Sequence, residues 1–267
     1  MRVPVVQHHS RRRRALGRRA LWAGGEFLVT AGVVLLLLVV HELWWTNREA
    51  RQSAEHQVQA LERQWATPGT AQGGTPSANS GPAGGSSSRR STSADGSTSA
   101  DGSTTVTGSA DSATNPHRSQ AYAILTIPRL HLRVPIAEGV SKQNVLNKGY
   151  VGHYPGTQQP GQAGNFALAG HRNTHGEPFR YLPRLRLKDT VQVETSAATY
   201  TYTVDKILPQ TSASDSGVIR PIPRSTVKPS YGYSRPGYYI TLTTCTPEFT
   251  SRYRMAVWGT LTSTHPR

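Results

Sequence analysis

Cysteine is almost absent from this chain of 267 residues, which contains one, Cys245. A single cysteine excludes a disulfide within the chain and any zinc site built on paired cysteines. The long apolar segment near the N terminus predicts that most of the chain lies outside the cytoplasm, where cysteines are normally paired. A lone thiol there indicates reactivity rather than scaffolding. The alternative interpretation is a small buried hydrophobe.

Acidic residues are also scarce, with 15 Asp and Glu against 30 Lys and Arg and a net charge of +15. No acidic cluster resembles a calcium or zinc site, so we expect no metal and no cofactor. The basic excess comes without zinc-finger spacing, a helix-turn-helix pattern or an aromatic RNA-binding signature, which argues against nucleic acid as a partner. A membrane surface or an anionic cell-wall polymer accounts for the same charge.

Charged residues are nearly missing from residues 21–45, whose centre, Phe27–Val40, is apolar. With its tryptophan flanks this segment reaches the roughly 20 residues that a helix needs to cross a ~30 Å hydrocarbon layer. No small-x-small cleavage site follows it, which favours an uncleaved signal anchor over a cleaved signal peptide. Residues 1–20 hold seven arginines and no acid. They should stay cytoplasmic and leave the rest of a single-pass chain outside, with a twin-arginine export signal as the weaker alternative.

Glycine and proline are missing from residues 46–66, a run of good helix formers that predicts a helix continuing out of the membrane. Its apolar stripe is thin, Val58, Leu61 and Trp65, so we expect a solvated stalk, with a weak homodimer through that stripe as the alternative. Residues 67–120 are nearly all Gly, Ser, Thr, Ala, Pro and Asp and cannot bury enough apolar surface to fold. We expect a disordered linker with a reach on the order of 40 Å, which would carry the following domain away from the bilayer.

Residues 121–267 have the length of one ordinary domain and a mainly β pattern. Short runs of β-branched and aromatic residues, separated by Gly and Pro, predict its strands. These runs are Tyr122–Ile127, Asn165–Ala169, Thr190–Glu194, Thr199–Leu208, Tyr238–Thr244 and Tyr253–Thr262. Only Ser141–Asn147 and Phe179–Leu182 look helical. Regularly spaced strands of this kind indicate a barrel or a sandwich.

A thiol is a useful nucleophile as its thiolate, which needs a neighbouring base or cation. His171 is the best candidate because it follows the apolar strand Asn165–Ala169 and a glycine, much as Cys245 ends the strand Tyr238–Thr244. Two functional groups at strand ends in one small β domain are well placed to meet. His175, four residues further on in a Gly-containing loop, is expected to be exposed to solvent.

An arginine facing the thiol could stabilise an oxyanion with paired N–H donors. Arg252 and Arg254 both follow Cys245 and have the same strand parity, so alternation cannot choose between them. Both could also be solvated edge charges. Thr243 and Thr244 are expected to pack beside the cysteine rather than to take part in chemistry.

Several of these runs together resemble the sortases. The motifs that carry the resemblance are, in chain order, Ala123–Pro128, Val134–Gly139, Gly-His-Tyr-Pro-Gly at 152–156, Leu-Ala-Gly-His-Arg at 168–172, Thr-Leu-Thr-Thr-Cys-Thr-Pro at 241–247 and Arg254 before Met-Ala-Val-Trp. Within the family, His-Tyr-Pro-Gly-Thr and Thr-Thr-Cys-Thr-Pro are most similar to the class E sortases of high-GC Gram-positive bacteria. The resemblance covers residues 121–267 and neither the stalk nor the linker.

The resemblance implies an eight-stranded β-barrel cysteine transpeptidase with Cys245, His171 and Arg254 as its catalytic residues, Arg254 being preferred to Arg252 by its family position. Cys245 would attack the Thr–Gly bond of a sorting signal near the C terminus of a secreted protein. Arg254 would hold the oxyanion or the substrate backbone, and His171 would protonate the departing amine. An amine of a peptidoglycan precursor, lipid II, would then resolve the acyl-enzyme and link the protein to the cell wall. Class E enzymes are associated with Leu-Ala-x-Thr-Gly rather than Leu-Pro-x-Thr-Gly signals.

Two other functions fit parts of the sequence. A pilin-polymerising sortase would join protein to protein, but such enzymes usually add a lid ahead of the barrel and a second hydrophobic anchor, and this sequence ends at Thr-His-Pro-Arg without one. A catalytically silent, membrane-tethered wall-binding domain would need none of the catalytic side chains.

Overall fold

One long helix and eight strands make up the structure, a computed structural model that describes residues 9–66 and 116–267. Most of the predicted linker, residues 67–115, lies outside the described residues. The helix α1 spans His9–Ala66. The strands are β1 (Ala121–Ile127), β2 (Leu132–Glu138), β3 (Val151–His153), β4 (Gly164–Ala169), β5 (Thr190–Glu194), β6 (Ala198–Ser212), β7 (Tyr238–Thr246) and β8 (Tyr253–Pro266).

The eight strands close into a barrel in the order β1-β2-β3-β4-β7-β8-β6-β5. The pairs β2/β3 and β4/β7 are parallel, and the other neighbours are antiparallel. Closure removes the unpaired edges that an open sheet would expose. The predicted eight-stranded barrel is therefore confirmed over the sandwich, and all six predicted strands are present.

Strand β8 shows how the barrel buries both of its faces. Met255 and Val257 belong to the core cluster inside the barrel, while Ala256 and Trp258 pack outside it with Leu208. Successive side chains of a strand point to opposite faces, so a strand that is covered on both sides reads as a continuous apolar run. The covering element is the β6–β7 connection, whose short 3-10 turn contributes to the outer cluster.

The two short stretches that look helical in the sequence contain 3-10 turns and no α-helix. Residues 141–147 form turns that end in a 3-10 turn at Leu146–Lys148, and the second stretch ends in a 3-10 turn at Leu182–Arg184. The first stretch stops at Gly149, which adopts left-handed backbone, and the second has proline within its first turn. Segments this short cannot nucleate a stable α-helix.

The part of α1 from Gly25 onwards contains a segment that is long and apolar enough to cross a membrane. Its apolar run Phe27–Val40 is exposed along its whole length within the described chain. The predicted helix through residues 21–66 is confirmed as one continuous element. Length, composition and exposure are what a hydrocarbon-facing segment requires.

The C-terminal half of α1 packs on the barrel, so the expectation of a solvated stalk is wrong. Ala54 lies in a cluster of buried residues with Ala137, and Val58 and Leu61 are buried against Ile124 of β1. Two charged contacts flank these apolar ones: Arg133 pairs with Glu62 at 2.8 Å, and the Arg267 guanidinium lies 4.7 Å from the centre of the Trp65 ring. The apolar stripe Val58, Leu61 and Trp65, the expected surface for a weak homodimer, is therefore covered by the barrel of the same chain.

The predicted boundary at residue 120 is also displaced. Ser119 donates its N–H to the Glu138 carbonyl at 2.8 Å, and Glu138 donates its N–H to the Gln120 carbonyl at 3.0 Å, so residues 116–120 belong to the barrel. Within the described residues, α1 packs on the barrel up to Trp65. The disordered linker and its reach stay a prediction, because residues 67–115 lie outside the described part of the chain.

Candidate active site

The parallel pair β4 and β7 brings His171 and Cys245 to the same end of the barrel. Ala169 and Thr243 are partners in the ladder, and Gly170 donates its N–H to the Thr243 carbonyl at 3.1 Å. His171 and Cys245 each come two residues after this pair. Equal offsets along parallel strands place two residues side by side, and both line one cleft.

The cleft has a volume of about 560 Å³. Its walls come from the loop 171–177 after β4, the β7–β8 connection at 249–251, Lys142, and Asn47 of α1, with Cys245 and Arg254 beside them. Within the described ranges, no group of three His, Cys, Asp or Glu side chains is arranged to hold a metal ion.

The two threonines before the cysteine fasten β7 to β4. Thr243 donates its hydroxyl to the Leu168 carbonyl at 3.0 Å, and Thr244 donates its hydroxyl to the Gly170 carbonyl at 2.8 Å. Both threonines are buried, as expected of packing residues. Cys245, the next residue, is half-buried and opens into the cleft.

The register of β7 and β8 separates the two candidate arginines. Arg254 is the direct cross-strand partner of Cys245 and lines the cleft. One of its guanidinium nitrogens, Nη1, donates to the carbonyls of Ser251 and Tyr253 at 2.8 and 3.0 Å. Arg252 precedes the strand, is exposed, and lies over the Tyr253 ring at 5.2 Å. The structure thus places Arg254 and not Arg252 beside the thiol.

The ring of His171 is held on one side by Asn147 and on the other by His175. Its Nε2–H donates to Asn147 Oδ1 at 2.9 Å, and its centre lies 5.4 Å from that of the His175 ring in a stacked arrangement. Burial, the charge of His175 and the charge of Lys142 together lower the pKa of His171 to about 4. Its imidazole is therefore neutral at pH 7 and can accept a proton at Nδ1.

His175 is half-buried, so the expectation that it is exposed to solvent is wrong. Its Nδ1 atom is buried without a hydrogen-bond partner among the described residues. The residue adopts left-handed backbone with φ of 52°. In this conformation its ring stacks on that of His171.

Arg172 is a site residue to which the sequence assigned no role. Its Nη1 donates to the Cys245 carbonyl at 3.2 Å and to the Thr246 hydroxyl at 3.0 Å. The side chain therefore ties the loop after β4 to the strand end that carries the thiol. Its position next to His171 in the Leu-Ala-Gly-His-Arg motif is the signal that could have singled it out.

The His-Tyr-Pro-Gly-Thr motif makes side-chain hydrogen bonds to β2 and β7. His153 is fully buried, with Nδ1 2.6 Å from Glu138 Oε2 and Nε2 2.9 Å from the Thr157 hydroxyl. The Tyr154 hydroxyl forms a 3.0 Å hydrogen bond with the Thr243 hydroxyl, two residues before the cysteine. The motif thus joins the end of β3 to β7, which is not its neighbour in the barrel.

Comparison with known proteins gives one family. The family model of the sortase domain matches residues 125–262. The chain is 40% identical over 252 residues to sortase SrtE1 of Streptomyces coelicolor, covering 91% of this chain and 57% of SrtE1. It is 32% identical over 245 residues to sortase SrtE2 of the same organism, covering 90% of this chain and 81% of SrtE2.

A solved structure supports the same assignment. The crystal structure of sortase E1 from Streptomyces coelicolor with a tripeptide in its active site superposes with a TM-score of 0.53 at 51% identity, covering 56% of this chain and 92% of that one. The chain belongs to the sortase family of cysteine transpeptidases and is similar to its class E members.

Proposed function

We propose that this chain is a membrane-anchored sortase that cleaves a sorting signal between Thr and Gly and transfers the surface protein to an amine of a peptidoglycan precursor. One observation carries the proposal: the lone cysteine shares a single cleft with His171 and Arg254. Nucleophile, base and cationic donor are the three groups that acyl transfer through a thioester requires.

The first half-reaction breaks the Thr–Gly bond. Cys245 Sγ attacks the threonine carbonyl carbon while the thiol proton passes to the neutral ring of His171. The Arg254 guanidinium stabilises the negative charge that develops on the carbonyl oxygen. The C–N bond then breaks, His171 returns the proton to the departing glycine amine, and the threonine carbonyl stays on sulfur as a thioester.

The second half-reaction rebuilds a peptide bond. An acceptor amine attacks the thioester carbon, His171 takes a proton from the amine, and the collapsing intermediate releases sulfur. Sulfur recovers the proton, so the free thiol is restored without any redox change. The lipid-linked amine of lipid II is the acceptor that joins the product to the cell wall.

Substrate and topology follow from the class E relatives and from the N-terminal charge. The sorting signal is Leu-Ala-x-Thr-Gly or a close variant, borne by secreted proteins. The arginines of residues 1–20 stay cytoplasmic, α1 spans the plasma membrane once, and the barrel lies on the outer side. The enzyme and a substrate held in the same membrane then meet at a raised effective concentration.

The test uses the full chain in detergent or lipid nanodiscs with a Leu-Ala-x-Thr-Gly peptide and an amine acceptor. We expect mass spectrometry to find a thioester adduct on Cys245 and a transpeptidation product, both abolished by Cys245→Ala. A product that joins two proteins through a lysine amine, and none with peptidoglycan amines, would favour the pilin-polymerising alternative. If no peptide with a Thr–Gly signal gives an adduct on the folded wild-type chain, the silent wall-binding domain replaces the enzyme.

A further inference from the structure

Three successive residues in the loop after β4 have left-handed backbone. His175, Gly176 and Glu177 have φ of 52°, 81° and 53°. This conformation suits glycine, but it is unfavourable for residues with a Cβ and persists only where the surroundings fix it. The ring of His175 stacks on His171, so whatever fixes this turn also fixes one face of the catalytic imidazole.

The helix α1 holds this turn by both backbone groups of Gly176. The Gly176 N–H donates to Asn47 Oδ1 at 3.2 Å, and Arg51 Nε donates to the Gly176 carbonyl at 3.2 Å. The same two side chains hold the next residue: Asn47 Nδ2 donates to Glu177 Oε1 at 3.2 Å, and Arg51 Nη2 donates to Glu177 Oε2 at 3.1 Å. Four hydrogen bonds thus join one turn of the helix to two residues of the loop.

We expect that Arg51 can be replaced without detaching α1 from the barrel and without leaving the buried Glu177 carboxylate unpaired. Glu177 is 5% exposed, and it also accepts a hydrogen bond from Arg180 at 2.8 Å, so its carboxylate keeps a cationic partner when Arg51 is lost. The docking of α1 rests on the separate apolar contacts of Ala54, Val58 and Leu61. Loss of Arg51 therefore affects the geometry of the loop more than the stability of the fold.

We propose that Asn47 and Arg51 are positioning residues of the catalytic site, which hold the turn His175–Glu177 and thereby keep the His175 ring against His171. The helix α1 then contributes to catalysis in addition to anchoring the enzyme in the membrane. Asn47, which lines the cleft, comes seven residues after Val40, about 10 Å along the helix axis. This distance places the cleft close to the membrane interface, where a lipid-linked acceptor presents its amine.

The variants Arg51→Ala and Asn47→Ala, singly and together, test this in the full chain in lipid nanodiscs. Arg48→Ala is the matched control, because it removes an exposed arginine of the same part of the helix whose guanidinium lies over the Trp44 ring. Arg51→Lys keeps the charge towards Glu177 but loses the fork that reaches both acceptors, so it should restore only part of the function. Two readouts are needed: kcat and KM with a Leu-Ala-x-Thr-Gly peptide, and the NMR titration of the His171 ring in histidine-labelled protein.

In the double variant we expect kcat to fall about tenfold with KM nearly unchanged, since misplacement of a catalytic group slows the chemical step. The unfolding temperature should stay within about 2 °C of wild type. The pKa of His171 should rise from about 4 towards its ordinary 6.5 as the His175 ring moves away. Arg48→Ala should change none of these quantities.

An unchanged His171 titration in the double variant overturns the proposal, whatever happens to the rate. So does a loss of kcat that Arg48→Ala reproduces. The rate effect rests on the proposed transpeptidase function, whereas the titration does not. A shifted titration together with no product from the wild-type chain would therefore support the positioning role and refute the proposed activity.

Discussion

Cys245 lies within a strand and His171 at the start of a loop, and the two sides of the cleft are held together in different ways. On the thiol side, β7 pairs with β4 from Tyr238 to Thr243 and with β8 from Tyr239 to Thr246, so the ladder with β8 fixes the positions of Cys245 and Arg254. On the imidazole side, a loop with left-handed residues is held by side chains, including those of α1. Strand pairing in the barrel positions Cys245 and Arg254, whereas hydrogen bonds from α1 hold the loop that follows His171.

The two kinds of support predict different effects of single substitutions on the two sides of the cleft. A strand ladder holds its geometry when one side chain changes, so on the thiol side only groups that meet the reacting atoms should matter for the rate. On the imidazole side, a lost hydrogen bond lets the loop relax, and substitutions there should change the protonation of His171 as well as the rate.

Arg254→Ala is expected to have the largest effect among the side chains around the thiol. Loss of a donor to the oxyanion typically lowers kcat by about 10² to 10³-fold. Arg252→Ala is the matched control, because it removes an exposed arginine two residues away and should change kcat by less than about threefold. Steady-state rates of peptide transfer to an amine measure both. Equal losses of kcat in the two variants, or full activity in Arg254→Ala, would show that Arg254 is not the oxyanion donor.

Arg172→Ala should have the next largest effect, because this side chain joins the two sides. It donates to the Cys245 carbonyl and the Thr246 hydroxyl, and a hydrogen bond from a charged donor contributes about 1.5–3 kcal/mol. We expect the rate of acylation to fall about tenfold in Arg172→Ala. Single-turnover acylation of Cys245 is the measurement. Wild-type acylation in the alanine variant would show that the two sides keep their relative position without this bridge.

The sequence predicted the strand side well because its signals are local. Alternation and turn residues mark the strands, and the equal offsets of His171 and Cys245 from two apolar strands indicate that they meet. Closure of the barrel and the choice of Arg254 rested on family resemblance, since parity leaves Arg252 and Arg254 equivalent. Only the ladder between β7 and β8 distinguishes them by geometry.

The helix side was missed because its signals are long-range. The apolar stripe of α1 is thin in the sequence because Ala50 and Ala54, which are buried in the structure, contribute little hydrophobicity of their own. The barrel residues that cover these alanines are separated from them in the sequence by the low-complexity segment 67–120. The left-handed backbone of His175 has no local marker except the glycine beside it, so its stacking on His171 could not be predicted.

The smallest predicted effect is the most selective one, in His175→Asn. Asparagine tolerates left-handed backbone better than most residues, so the turn can persist while the ring is removed. His131→Asn is the matched control, because His131 is an exposed histidine that also has left-handed backbone, with φ of 48°. Both variants remove one histidine from the same kind of backbone, and only His175 stacks on His171.

Removal of the His175 ring should raise the pKa of His171 from about 4 towards 6.5 without reaching it, because burial is the larger cause of the shift and persists. Since the proposed reaction begins with neutral His171, the acid limb of the kcat/KM profile should move to higher pH, with a loss near pH 5 and little change near pH 7.5. The pH dependence of stability should also change, in the opposite direction. In the wild type the unfolded chain binds a proton at His171 at higher pH than the folded chain does, so stability falls as the pH drops from 6.5 towards 4. In His175→Asn that fall should be smaller, as pH-dependent thermal unfolding would show. An acid limb that stays at its wild-type position would contradict this prediction. It would mean that burial, and not the His175 ring, keeps His171 neutral.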